Sequence, residues 1–408
     1  MFFQGLKKKF NENNLISLIF ILLILFGLFF NTLSNKTYQN DSWTIGEWLI
    51  NYQGGFVRRG LIGELIYFVS SSLNLTPIYI IWFLSISAYL TLIGLSLKDA
   101  KGKVSKIFLL SPGIFLSPLI GDFLIRKDIL LLIFFLINLK IIKASKPNFF
   151  IFNVVNILGI LIHESFAIYS IPIQFFVMNN KINFKYKNLF LLFYFLPTFL
   201  ALFYCVIFNG DINQSISIHQ SWIGLRDLFP FEVLNIELPI GAIGSLGWDF
   251  KEVFKLLILS LSDFQGILWT PLAWIFTMFI LSGIFLGDSS GKDIQMKFFI
   301  LCFQLIPILI LFLLGWDYGR WIFIWGLSSI LIYCNLCEEL NSSEFVRICL
   351  SKLGKLKQLI YIIEIPDRRK ILLFFFAYPH CCWSIYYLPL LLIVPMYSFV
   401  KSKRYIMR

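Results

Sequence analysis

The chain has 408 residues, 58% of them hydrophobic and only 14% charged, with a formal net charge of +12. A mean hydropathy of +0.79 and many apolar runs of bilayer-crossing length exclude a soluble enzyme with a single anchor. No apolar-poor stretch is long enough for a separate domain, so composition predicts an all-α, polytopic integral membrane protein with one domain over residues 1–408.

Positive charge sets the expected orientation, because loops rich in Lys and Arg stay on the cytoplasmic side. With Lys7, Lys8 and Lys9 inside, Leu15 to Leu33 runs outward; it is span-length and lacks a small-residue cleavage pattern, so it reads as a first span and not a signal peptide. The segment from Asn35 to about Gly60 is then external. Gly60 to Leu73 is short and holds Glu64, which predicts an interfacial or re-entrant helix. Ile78 to Leu97 returns to Lys98, Lys101, Lys103 and Lys106, and Phe108 to Ile120 goes out, kinked by Pro112 and Pro118. A tight external turn from Gly121 to Asp128 precedes Ile129 to Ile142, which lands on Lys143 and Lys146.

Phe149 to Met178 is broken near its middle by His163-Glu164 and has lysines at both ends. That pattern predicts a hairpin whose tip lies toward the outside, within the membrane depth, in a protein-lined cavity. Leu189 to Phe208 goes out again, and residues 209–253 form the longest external loop. Ile267 to Leu286 comes in, Phe298 to Leu314 goes out, Trp316 to Arg320 turns, and Trp321 to Cys337 returns. Residues 338–370 form a basic cytoplasmic segment whose amphipathic part, Phe345 to Ile363, fits a helix lying on anionic lipid. Ile371 to Val400 is either one tilted span or a proline-broken hairpin. The expected total is about ten to twelve spans.

No metal or cofactor is expected. The seven cysteines show no paired ligand spacing, Cys334-x-x-Cys337 closes a predicted span, and the three histidines make no zinc motif. The informative residues are the arginines. Five of the ten fall on the external side in this topology (Arg58, Arg59, Arg126, Arg226 and Arg320), whereas the internal segments are dominated by lysine. Guanidinium binds phosphate through a planar bidentate fork and stays charged when partly buried, which points to a phosphorylated ligand at the outer leaflet.

Each motif has a structural reading beside the functional one. Arg58-Arg59 can snorkel to the interface or pair with Glu64, and Arg126-Lys127-Asp128 can be a connecting turn with an internal ion pair. His163-Glu164 can be a helix-packing hydrogen bond, and Asp317-x-x-Arg320 a helix-end pair beside an aromatic belt. Asp41 and Glu47 lie in the first external segment. The acidic residues of the 209–253 loop read as solvated charges, with Arg226-Asp227 the pair able to reach a site.

Taken in order, Glu64-Leu65-Ile66-Tyr67, Arg126-Lys127-Asp128-Ile129-Leu130, the run Asn156 to Ala167 containing His163-Glu164, and Gly319-Arg320-Trp321 resemble the EpsG-like exopolysaccharide polymerase and O-antigen polymerase group. There an Arg opens a span and a His followed by small residues ends the next. The similarity covers roughly residues 40–335, and Glu164 departs from it by following the His where an aromatic is common. More distantly the chain resembles multi-span glycosyltransferases that use polyprenyl-phosphate sugars, in which Asp41 or Glu47 would be the first-loop acid and Asp122 or Asp128 the later one.

The resemblance implies glycosyl transfer at the outer leaflet of the bacterial inner membrane, with the N-terminus cytoplasmic. The implied partners are a polyprenyl-linked saccharide, membrane lipid and other polysaccharide-assembly proteins, with no nucleic acid. Arg58, Arg59, Arg126 and Arg320 would clamp the donor diphosphate. The base would be His163 or Glu164, with Glu64 or Asp317 next. Asp128, Arg226, Asp41 and Glu47 complete the expected binding set. A flippase would need the same arginines together with internal repeats, and a scaffold would use every ion pair structurally.

Overall fold

The computed structural model describes residues 12–33, 41–121, 123–182, 185–229, 238–248, 251, 255, 269–287, 292–314 and 317–353. Among these every regular element is helical. The long ones are α1 (Glu12–Leu33), α4 (Pro77–Asp99), α7 (Asp128–Lys143), α8 (Phe149–Ile162), α9 (Ser165–Lys181), α10 (Lys187–Ile207), α13 (Trp269–Gly287), α14 (Lys292–Leu314) and α15 (Tyr318–Ser342). Shorter helices are α2 (Thr44–Leu49), α3 (Gly60–Leu73), α5 (Lys106–Leu110), α6 (Ser117–Ile120), α11 (Ile212–Ile223), α12 (Gly241–Gly244) and α16 (Glu344–Leu353). Five helices among the described residues are long and apolar enough to cross a membrane: α1, α4, α10, α14 and α15. That is fewer than the expected ten to twelve. The helices α7, α8 and α9 fall short of 18 residues, and residues 371–400 lie outside the described set.

The central element is α15. From Gly319 to Leu336 every side chain is buried, and the helix packs against α4, α7, α9, α13 and α14. Peripheral α10 instead shows Leu192, Phe193, Leu196, Leu200, Phe203 and Ile207 on its outer face, as a lipid-facing helix should. Buried amides tie the interior helices together. Asn138 of α7 donates to Asn156 of α8 at 2.8 Å, and Asn156 to Gln174 of α9 at 3.0 Å. Without a hydrophobic difference between lipid and Leu, such interhelical bonds supply specificity.

Two ends of the bundle differ in charge. At one, Lys140 pairs with Asp99 at 3.0 Å, Lys181 donates to the last carbonyls of α7, including Lys143 O at 3.1 Å, and Lys103 donates to Cys334 O. Cations at helix C-termini are favourable on dipole grounds. At the other end stand the arginines. The proline-containing stretch between Lys103 and Leu119 connects them, because Asn31, near the far end of α1, donates to Leu119 O at 3.3 Å. It is not the kinked span expected for Phe108 to Ile120. Pro112, without an amide donor, lies in an irregular connection that separates α5 from α6, and Pro118 sits in the first turn of α6. That connection is wholly buried, and its polar groups are met internally: Phe115 N–H donates to Leu109 O at 2.9 Å, and the Tyr89 hydroxyl donates to Phe115 O. Irregular backbone is tolerated at such depth where protein covers it.

The described residues of the long polar loop pack against other segments of the chain. α11 docks onto the first external segment, with Trp222 Nε1 donating to Leu49 O at 2.7 Å and Asn51 Nδ2 to Ser221 Oγ at 2.9 Å. α3 has 14 residues, as expected for an interfacial helix, and its Tyr67 still stacks edge-on against Trp222. Of the amphipathic segment, Glu344–Leu353 is helical, with Val346 buried and Phe345 and Ile348 exposed.

Candidate functional site

At the arginine end, four short stretches meet. The loop before α3 brings Arg58 and Arg59, the start of α7 brings Arg126, Lys127 and Asp128, the α8–α9 break brings His163 and Glu164, and the start of α15 brings Asp317 and Arg320. α2 adds Glu47 from below.

The break between α8 and α9 is built by His163 itself. Its backbone is extended (φ −164°, ψ 124°), and its Nδ1 accepts the main-chain N–H of Ser165 at 3.1 Å, replacing a helical bond with a side-chain one. Gly159 permits the sharp corner, since a Cβ there would come within 2.6 Å of the Phe166 ring. With Nδ1 an acceptor, the imidazole proton resides on Nε2, which donates to Glu47 Oε1 at 3.0 Å. His163 is therefore neutral in this arrangement.

Glu164 receives both arginines of the first motif. Arg59 Nε donates to its two oxygens at 3.0 and 2.9 Å, a second Arg59 nitrogen adds a short contact, and Arg58 Nη1 lies at 3.3 Å. Arg59 does this from the left-handed region (φ +66°), one of only two non-glycine residues there among those described. Such strain persists where surrounding contacts over-determine it. Deeper in, Arg126 Nη1 reaches Glu47 Oε2 at 3.3 Å and Trp43 O at 3.2 Å. Arg320 Nε donates to Asp128 Oδ2 at 2.7 Å, and its Nη1 donates to Asp317.

Lys127 joins the two loops. Fully buried, it donates to Arg59 O at 3.1 Å and to Ile162 O at 3.3 Å. Burial pushes its amine down to about 7, against the attraction of Glu47. Two acceptors match the two N–H bonds of a neutral amine. Burial alone would raise the carboxyl of Glu47, but the His163 hydrogen bond and the Arg126 charge outweigh it and hold the group well below the ordinary carboxylate range.

The cluster is layered. Glu47, Arg126, Lys127, Asp128, His163 and Arg320 are buried, whereas the side chains of Arg58, Arg59, Glu164 and Asp317 remain a fifth to a quarter exposed. Only this outer layer can touch a ligand directly. Carboxylates offset most of the positive charge, as buried ions require. Among the described residues no group of three His, Cys, Asp or Glu side chains is arranged to hold a metal.

Other expected members lie apart. Glu64 does not pair with Arg58-Arg59; it accepts the Tyr52 N–H and the Gln53 amide, each at 2.8 Å, and staples the loop. Asp41 caps α2, its carbonyl accepting from Thr44 and Ile45. Arg226 is exposed on a short 3-10 turn and has no ion pair among the described residues. Asp122 lies outside the described residues. The main residue missed was Lys127; its place between Arg126 and Asp128 at the head of an apolar run was the available signal.

A family model described as "Uncharacterised membrane protein Rv1490" matches residues 17–105. That stretch includes Glu47 and Arg58-Arg59 but not Arg126, His163 or Arg320. Comparison with curated proteins and with solved structures gives no match. The chain is an all-α, polytopic integral membrane protein.

Proposed function

We propose that the protein transfers glycosyl groups from a polyprenyl-diphosphate-linked saccharide, at the outer leaflet of the bacterial inner membrane, to lengthen a surface polysaccharide. The accessible Arg58–Arg59–Glu164 edge of the cluster supports this reading best. Two adjacent guanidiniums sharing one carboxylate are a site at which an incoming diphosphate can replace that carboxylate. Glu164, released from the arginines, then takes the proton of the acceptor hydroxyl. The acceptor oxygen bonds to the anomeric carbon, the carbon–phosphate oxygen bond breaks, and its electron pair leaves on the diphosphate, where Arg58 and Arg59 stabilise the charge. His163 and Glu47 hold the Glu164 corner, and Arg126 and Arg320 brace the ends of α7 and α15.

These assignments narrow the expected roles. Glu164 is the first choice for the base because its carboxylate is accessible; buried His163 acts by position, and Asp317 stands next in accessibility. The lysine-rich end fits the cytoplasmic side. A second reading is transfer of one sugar from a polyprenyl phosphate. Glu47, an acid of the first external segment joined to the cluster through His163, favours it. The deciding experiment is glycan analysis of a strain lacking the gene. Accumulated single repeat units on lipid fit the polymerase, a truncated unit fits the single-sugar transferase, and unaltered glycan rejects both.

A further inference from the structure

The head of α7 carries three consecutive side chains that reach three different parts of the chain. Arg126 bonds to Glu47 of α2 at 3.3 Å, and Asp128 accepts from Arg320 of α15 at 2.7 Å. Lys127, between them, directs its amine to two main-chain carbonyls, Arg59 O at 3.1 Å and Ile162 O at 3.3 Å. Its neighbours are tied on both sides, so α2 and α15 fix where that amine stands. The residue is fully buried and cannot touch a ligand at the accessible edge of the cluster.

Both carbonyls belong to stretches that carry the accessible groups. Arg59 sits in the left-handed region (φ +66°), pinned at its carbonyl by Lys127 and at its guanidinium by Glu164. Ile162 is the last residue of α8, where His163 turns the backbone extended. A carbonyl at such a helix end needs a donor from outside the helix. Lys127 supplies it, two residues before Glu164. One nitrogen therefore holds the main chain of the guanidinium and the main chain that leads to its carboxylate.

Resting on the transfer reaction proposed above, we infer that Lys127 is a positioning residue, which sets the spacing of the Arg59 guanidinium and the Glu164 carboxylate by gripping both main chains. The need for it arises in the reaction itself. While Glu164 lies on Arg59, their own ion pair keeps the two stretches together. Once a diphosphate replaces the carboxylate, that side-chain tie is gone, and the Lys127 hydrogen bonds remain. The base then stays beside the clamped donor, as transfer between oriented groups requires. Two correctly placed N–H donors suffice, and a positive charge is not required.

The test compares Lys127→Met, which deletes the donors, with Lys127→Gln, which keeps two N–H donors without the charge. Each is combined with Arg59→Ala, with Glu164→Gln and with both, and melting of the purified full chain in detergent gives the Arg59–Glu164 coupling. In the wild type the pair should be non-additive, as contacting residues are. Lys127→Met should cut that coupling by about half or more, and Lys127→Gln should keep most of it. Equal coupling in all three backgrounds overturns the inference. Lys127→Leu stands in should Lys127→Met not fold; failure of both to fold also overturns it, because the residue would then hold the bundle and not two loops. A second readout separates positioning from general weakening. Inorganic diphosphate should bind Lys127→Met within about twofold of the wild type, whereas glycan extension in a strain carrying that variant should fall about tenfold or more and return with Lys127→Gln. Wild-type extension in Lys127→Met, or binding and extension lost together, overturns the inference as well. Coupling that depends on Lys127, with no glycan extension even by the wild type, rejects the transfer reading and keeps the positioning.

Discussion

At the scale of single residues, Arg59 and Lys127 carry the most physical information. Arg59 occupies a left-handed backbone position that disfavours every residue except glycine, at a cost of about 1–3 kcal/mol, and its guanidinium is held by Glu164. Substitution separates these roles. Arg59→Gly and Arg59→Ala both delete the guanidinium, so transfer should fall at least 100-fold in each, the scale of losing one transition-state charge partner. Only alanine keeps the strain, so Arg59→Gly should melt higher by about 1 kcal/mol equivalent in detergent thermal scans. Equal melting would show that the loop relaxes freely. Lys127 makes a pH prediction. Its folded-state value of about 7 lies below its ordinary 10.5, so the unfolded chain binds more protons between those limits. Stability from this group is therefore present above about pH 10.5 and is lost as pH falls toward 7. Thermal unfolding of the wild type should strengthen relative to Lys127→Met as pH rises from 7 to 10, and a flat difference would mean that the amine stays charged. Above about pH 10.5, where titration no longer separates the two proteins, the variant should be less stable by about 1–3 kcal/mol, because Arg59 O and Ile162 O are left unpaired.

Helices and their connections show where sequence pattern sufficed and where it failed. The His163-Glu164 break was legible, since two consecutive polar residues in so apolar a run cannot continue a span cheaply. Both arms then followed from length. The crossing through Lys106 to Ile120 was not legible as irregular backbone. Proline predicts an interruption, but whether a helix kinks or breaks depends on neighbours that satisfy the freed carbonyls, and Tyr89 and α1 come from distant sequence. The docking of α11 was invisible for the same reason, since Trp222 and Ser221 find their partners about 170 residues away. Glu64 misled because sequence proximity to Arg58-Arg59 made it the obvious partner, while Glu164 wins through the fold. Close approach of elements gives the prediction at this scale. A Cβ at Gly63 would sit 1.9 Å from Ile50 O and 2.8 Å from Trp48 O, both backbone atoms. Gly63→Ala must therefore push α3 off the α2 segment, at a cost of about 1–3 kcal/mol. Detergent melting should drop accordingly, and transfer should fall with it because Arg59 heads the same helix. A variant with wild-type melting and transfer would mean that α3 is not anchored there.

For the molecule as a whole, the separation of arginine from lysine is the feature that sequence and fold share. Four of the five arginines assigned to one side gather within one ionic cluster through five segments that are far apart in sequence, and Arg226 alone stays outside it. Lysines at the opposite end close helix termini in the manner of a cytoplasmic face. Lysine stays abundant where only charge counts, and arginine collects where geometry counts. If the cluster works on an externally presented saccharide, the arginine end must face outward, and that orientation can be tested without any knowledge of substrate. In a background lacking native cysteines, Asn213→Cys places a thiol on exposed α11, and Lys146→Cys places one in the exposed connection between α7 and α8. A membrane-impermeant maleimide should label Asn213→Cys in spheroplasts and reach Lys146→Cys only after permeabilisation. The reverse pattern would put the cluster in the cytoplasm, where no externally presented saccharide could meet it. Labelling of both from one side would contradict the two-ended architecture on which Arg58, Arg59 and Glu164 are assigned to the outer leaflet.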